Sequence, residues 1–129
     1  MVEILKALAD ENRLRVYNLL LEDELCVCEL EVLLNLTQSN VSKHLSKLRS
    51  AKIIESQKEA QWVHYKVSEV FKKRHGDLIK ALESGLLANE EAIADIKRLR
   101  RYRQEAFNCQ VINKDRDYVI KSINNGEKI

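Results

Sequence analysis

Apolar residues recur at helical spacing along most of the chain. Val2, Leu5, Leu8 and Ala9 predict a short amphipathic helix, and Leu14, Tyr17, Leu20 and Leu21 predict a second, with Asp10 placed to cap it. The second helix should end in the acidic run "EDE", residues 22–24. Leu30, Leu33 and Leu34 mark a third short helix, which Asn35 is suited to end. "TQSNVSKHLSKLRSAKI", residues 37–53, opens on a capping threonine and sets Val41, Leu45, Leu48 and Ala51 on one stripe. Two short helices joined by a tight turn predict a helix-turn-helix, whose second helix lays its polar face in a DNA major groove.

The period then changes. Val63, Tyr65 and Val67 alternate with Trp62, His64 and Lys66, which predicts a β-hairpin over 53–68 with its tip near "KEAQ". Residues 68–83 and roughly 88–107 return to helical spacing, as two helices or as one broken around Gly85 and Asn89. The expected fold is mainly α with one small hairpin, a winged helix-turn-helix. At 129 residues the chain suits one domain, expected over 1–107. Residues 108–129 have weak periodicity and are expected to form a tail, partly disordered or folded back.

Charge sharpens this picture. Residues 1–35 carry 3 basic and 8 acidic side chains, a net of −5, whereas residues 36–75 carry 9 and 3, a net of +6. A basic middle third points to a polyanionic partner. The side chains off the apolar stripe of the fourth helix are Thr37, Gln38, Ser39, Asn40, Ser42, Lys43, His44, Ser46 and Lys47. They are groups that read base edges and hold phosphates. A plain solvated helix would also be polar outside. Arg49, and Lys58, Gln61 and His64 on the hairpin, extend the basic surface as a DNA-binding wing would.

No stretch approaches the ~20 apolar residues of a membrane span, and the first residues are charged throughout, unlike a signal peptide. A cytoplasmic protein with reduced thiols is expected, because three cysteines, an odd number with two of them separated by a single residue in "ELCVCEL", do not form a secreted disulfide scaffold. Positions two apart on a regular helix point about 200° from each other. Cys26 and Cys28 can therefore grip one ion only if the backbone there is extended or at a helix edge. The alternative is a pair of small buried hydrophobes. There is no CxxC redox motif, no phosphate loop and no nucleophile with a candidate base nearby, so an enzyme is not expected.

"LADENRLRVYNLL", "ELCVCEL", "TQSNVSKHLSKLR" and "WVHYKVS", in that order over about residues 1–68, together resemble the ArsR/SmtB family of winged-helix metal-sensing repressors. The resemblance implies a homodimer assembled through the first and C-terminal helices. It also implies binding to an inverted-repeat operator and release when metal binds. Ile93, Ile96, Leu99 and Phe107 would then pack the dimer seam. "ELCVC" at the start of the third helix resembles the arsenic- and cadmium/lead-responsive members, in which the two cysteines ligate the metalloid or metal.

The sequence departs from the arsenic pattern at Glu31, where those members often carry a third cysteine. A carboxylate is a hard donor, poor for As(III) and tolerable for Cd(II), Pb(II) or Zn(II). Cys109 is the remaining thiol. Either it closes a three-thiolate site for As(III) or Sb(III), from the partner subunit or by a folded-back tail, or it is incidental and Glu31 or an exogenous thiol completes the site. The expected function is an As(III)/Sb(III)-released repressor. The alternatives are a Cd(II), Pb(II) or Zn(II) sensor, or a redox or persulfide switch with Cys109 as resolving thiol.

Overall fold

The computed structural model describes residues 1–124. Residues 125–129 of the expected tail lie outside the described residues. Helices α1 (Val2–Leu8), α2 (Glu11–Glu22), α3 (Val27–Leu34) and α4 (Gln38–Ser50) precede a hairpin of β2 (Ile54–Glu59) and β3 (Trp62–Val67). The helices α5 (Glu69–Arg74), α6 (Gly76–Leu87), α7 (Glu90–Gln104), α8 (Cys109–Lys114) and α9 (Arg116–Ile123) follow. A two-residue strand, β1 (Leu25–Cys26), lies between α2 and α3 and makes the hairpin a three-stranded antiparallel sheet of order β1-β3-β2.

The predicted caps form. The Asp10 side chain accepts from the Arg13 amide at 3.0 Å, and Thr37 Oγ1 accepts from the Asn40 amide at 3.2 Å. α3 ends on Asn35 in the left-handed region at φ 54°, which Asn tolerates because its short polar side chain bonds locally. Leu36 and Thr37 complete the turn into α4. Val41, Leu45 and Leu48 are buried as the stripe predicted, and Ala51 packs against them. In α2 the buried face is centred on Val16, Tyr17, Leu19 and Leu20, with Leu14 and Leu21 at its margins.

The helix expected over roughly 88–107 forms as α7, and the segment after it, expected as a tail, adds two further helices. α7 stops at Gln104, and Ala106 at φ 54° reverses the chain. α8 and α9 then return across α3 and α7, burying Ile112, Val119 and Ile123. This fold-back puts Leu99 and Phe107 in the chain's own core rather than on a dimer seam. Ile93 stays exposed, with Ile96 half-buried beside it. A reversal built on an alanine leaves no glycine or proline signal in the sequence.

One polar network ties α2 to the C-terminal part. Asp95 is fully buried in α7, and Arg15 of α2 donates to both of its oxygens, at 2.9 and 3.0 Å. Arg15 also donates to the Leu34 carbonyl at the end of α3 at 3.0 Å, and Arg98 reaches Asp95 at 3.1 Å. Removing one member of such a buried pair strands the other's charge. Asp95→Ala should lower stability by about 3–5 kcal/mol, read as a shift in urea midpoint at unchanged m. A loss below about 1 kcal/mol would mean that solvent already satisfies Arg15.

Candidate metal centre and nucleic-acid interface

The local backbone resolves the Cys-x-Cys geometry. Cys26 is extended, at φ −88° and ψ 168°, as the last residue of β1 and the N-cap of α3. Its amide donates to Glu29 Oε1 at 2.9 Å. Only Cys28 is on the helix, in its first turn, so the 200° separation of a regular helix does not apply to the pair. Cys109 opens α8, where the Asn108 side chain accepts from the Val111 amide at 3.0 Å.

Cys28 and Cys109, 81 residues apart, are joined as a disulfide with their Cα atoms 6.3 Å apart. Of the two expectations for Cys109, a thiol brought in by a folded-back tail or an incidental one, the structure matches the fold-back. The pairing arises from the fold-back of α8 onto α3, which local cysteine spacing does not encode. Cys26 is free and 3% exposed, with its sulfur 3.4 Å from His64 Nδ1. Burial, with the Glu29 carboxylate alongside, pushes the Cys26 thiol up to about 12. Cys26 and Cys109 line one open cleft of about 240 Å³, and Cys26 and Cys28 line another of about 620 Å³. Cys26 therefore shares one cleft with Cys109 and another with Cys28, while Cys28 and Cys109 meet each other directly. Glu31 also lines the larger cleft, with its carboxylate 3.2 Å from Arg116 of α9.

Sequence reasoning missed Glu29 and Tyr102. Glu29 is buried at 5% exposure, and the Tyr102 hydroxyl of α7 donates to its Oε2. Glu29 lies inside the quoted motif, so its spacing three residues after Cys26 was visible. Tyr102 carries no local signal, since its partner is 73 residues away.

On α4, Gln38, Ser39, Asn40, Ser42, Lys43, Ser46, Lys47 and Arg49 are exposed along one face that carries no acidic residue. Thr37 is exposed, but its hydroxyl caps the helix. His44 is half-buried, its Nδ1 has no hydrogen-bond partner, and burial lowers its pKa. An open groove between α4 and the sheet is lined by Ser42, Ser46, Arg49 and Tyr65. Lys58 and Gln61 are exposed near the hairpin tip. His64 differs from the rest of the expected DNA-contacting set, because its ring packs on Cys26. Three arginines of the run "KRLRRYR", residues 97–103, are engaged internally: Arg98 with Asp95, Arg101 with the Ile123 carbonyl and Arg103 with Asp23, whereas Lys97 and Arg100 are exposed.

α3, its three-residue turn, α4 and the β2–β3 wing define a winged helix-turn-helix. The sequence profile described as "Bacterial regulatory protein, arsR family" matches residues 10–56. The chain is 34% identical over 94 residues to the arsenic resistance transcriptional regulator ArsR2 of Pseudomonas putida, covering 72% of this chain and 79% of that one. It is 43% identical over 68 residues to the arsenical resistance operon repressor of Escherichia coli K12, covering 52% and 58%. The chain thus spans little more than half of that relative's length. Among solved structures, HlyU from Vibrio cholerae N16961 superposes with a TM-score of 0.55 at 42% identity, over 63% of this chain and 88% of that one. The chain belongs to the ArsR family of bacterial regulatory proteins. No helix among the described residues is long and apolar enough to cross a membrane.

The cysteine environments predict distinct reactivities. Raising the Cys26 thiol to about 12 cuts its thiolate fraction at neutral pH roughly a thousandfold from an ordinary cysteine. Oxidised folded protein should yield a Cys28–Cys109 cross-linked peptide by mass spectrometry, with Cys26 unlabelled by iodoacetamide until urea is added. Rapid labelling of Cys26 in the folded chain would contradict its burial.

Proposed function

We propose that the protein is a cytoplasmic metalloregulatory transcriptional repressor that binds inverted-repeat operator DNA as a homodimer and is released when As(III) or Sb(III) binds Cys26, Cys28 and Cys109. The observation that carries this reading is that Cys109 folds back to Cys28 within one subunit, while Cys26 lines a cleft with each of them. In the reduced state each thiol proton leaves with an As(III) hydroxide as water, forming three As–S bonds. Thiolates suit thiophilic ions, and Glu31, drawn toward Arg116, is a poorer competitor for that position. That weighs against the Cd(II), Pb(II) or Zn(II) version of the same switch.

Two features support a link to DNA. α3 packs on α4, and Cys26 is paired in the sheet that forms the wing, so drawing the three sulfurs together loads both DNA-facing elements. A typical coupling of about 1–3 kcal/mol would lower operator affinity roughly 5- to 150-fold. The homodimer is supported by exposed Val2 and Leu5 on α1, and by an open groove of about 310 Å³ lined by Leu21, Leu86, Leu87, Ile93 and Ile96. In the dimer the two α4 helices would lie about 34 Å apart, in successive major grooves.

A second reading keeps the DNA binding and makes the Cys28–Cys109 pair a redox or persulfide switch. The disulfide in the structure favours it.

A duplex selected by the protein from random DNA separates these readings. As(III) should release reduced wild type from it, while Cys26→Ser, Cys28→Ser and Cys109→Ser should each lose most of the response. Full response in Cys109→Ser would sink the three-sulfur site. Release by peroxide but not by As(III) would favour the redox switch instead. Lys47→Ala should weaken binding to all sequences and reduce the salt slope by about 1.

A further inference from the structure

We propose that Cys26, Glu29 and His64 form a second metal site, for a borderline divalent cation such as Zn(II) or Co(II), that needs neither Cys28 nor Cys109 and fastens the wing to α3. One donor atom from each, a sulfur, a carboxylate oxygen and a ring nitrogen, lies within 4.8 Å of the others. A tetrahedral ion with bonds of about 2.0–2.3 Å holds its ligands about 3.5 Å apart. The Cys26 sulfur and His64 Nδ1 already stand 3.4 Å apart, so only the carboxylate has to close in.

The placement of each donor is fixed by structure already described. Cys26 and His64 are register partners across β1 and β3. Glu29 is one turn into α3, where the Cys26 amide and the Tyr102 hydroxyl each occupy one carboxylate oxygen. A carboxylate offers about four lone-pair positions, so both oxygens can still face an ion. The Tyr102 bond is the kind of outer contact that orients a metal ligand. Glu29 is moreover a buried carboxylate that forms no salt bridge among the described residues.

One sulfur, one nitrogen and one oxygen suit Zn(II), Co(II) or Cd(II) and do not suit As(III), which takes sulfur. The cleft beside the three donors, edged by Trp62, Asn108 and Gln110, leaves room for a water as fourth ligand. The site shares Cys26 with the three-thiolate centre but does not rest on that reading. Oxidation that joins Cys28 to Cys109 removes two sulfurs from the arsenic centre and leaves this donor set whole. With all thiols reduced, the two kinds of ion compete for Cys26.

The test is a Co(II) titration of oxidised full-length protein without reductant. The expected result is one Co(II) per chain, with visible bands of tetrahedral cobalt and a single thiolate-to-cobalt charge-transfer band, both displaced by Zn(II). His64→Ala should weaken binding more than about 100-fold, beyond what an outer-shell change does. Cys26→Ser should abolish the charge-transfer band. Glu29→Gln, a second probe that keeps the side-chain shape, should weaken binding at least about tenfold. No charge-transfer band in oxidised wild type, or an unchanged affinity in both His64→Ala and Glu29→Gln, would overturn the proposal. A missing cobalt band together with As(III) release from DNA sinks this site alone, and a cobalt band without As(III) release sinks the arsenic reading alone.

Discussion

The backbone pairing of Leu25 and Cys26 with Tyr65 and His64 is the constraint on which the site depends. It takes two residues that would otherwise fray at the start of α3 and makes them the third strand of the wing's sheet. Cys26 is thereby held extended while the next residue is helical, and its sulfur is turned toward the wing instead of lying on the flank of α3. The same pairing brings His64 over that sulfur and leaves Glu29 to satisfy the Cys26 amide. A slip of one residue in this register would move every side chain of the short strand to the opposite face.

A second constraint acts from the other end of the chain. Asp95 fixes α7 against α2 through Arg15, and Tyr102, two turns on, reaches Glu29. With α7 so placed, the reversal at Ala106 directs α8 across the start of α3 and delivers Cys109 to Cys28. The meeting of Cys109 with the "ELCVCEL" segment is therefore made by long-range packing, although Cys26 and Cys28 stand only two positions apart in sequence. Buried polar contacts of this kind do little for net stability compared with apolar packing, but breaking one of them strands a charge, which favours a single arrangement of α7.

Legibility followed the range of the interactions. Caps at Asp10 and Thr37 and the Val41–Leu45–Leu48 stripe are local patterns that the structure matches, and the expected hairpin forms, although burial along β3 does not alternate: Val63 is exposed while Trp62, His64 and Lys66 are half-buried. β1 was not legible, because two residues carry no period and the strand exists only through its partner. A break near 107 was expected, but the helices α8 and α9 beyond it were not legible, because residues 108–124 carry only weak periodicity. Leu99 and Phe107 looked like dimer contacts as long as the return of α9 was unknown, since a helix shows which face is apolar and not what will cover it. Within the site, "ELCVCEL" gave away Cys26 and Cys28, but the neighbours that give Cys26 its environment, His64 and Tyr102, come from 38 and 73 residues beyond their partners.

The paired and the free thiols then have different consequences for how this fold could transmit a signal. Cys28 and Cys109 join α3 to α8, elements away from the DNA-facing surface, so linking or unlinking them acts on α4 only through the packing of α3. Cys26 sits in the sheet itself, so any ion that takes its sulfur pulls on the wing directly. An ion that gathers all three sulfurs does both at once, displacing the N-cap of α3 relative to its first turn while straining the β1–β3 pairing. Since α4 packs on α3 and the wing flanks it, those two loads meet at the recognition surface. The proposed centre would lie at the junction of strand and helix, instead of within either, so an ion bound there would act on α4 through α3 and on the wing through the β1–β3 pairing.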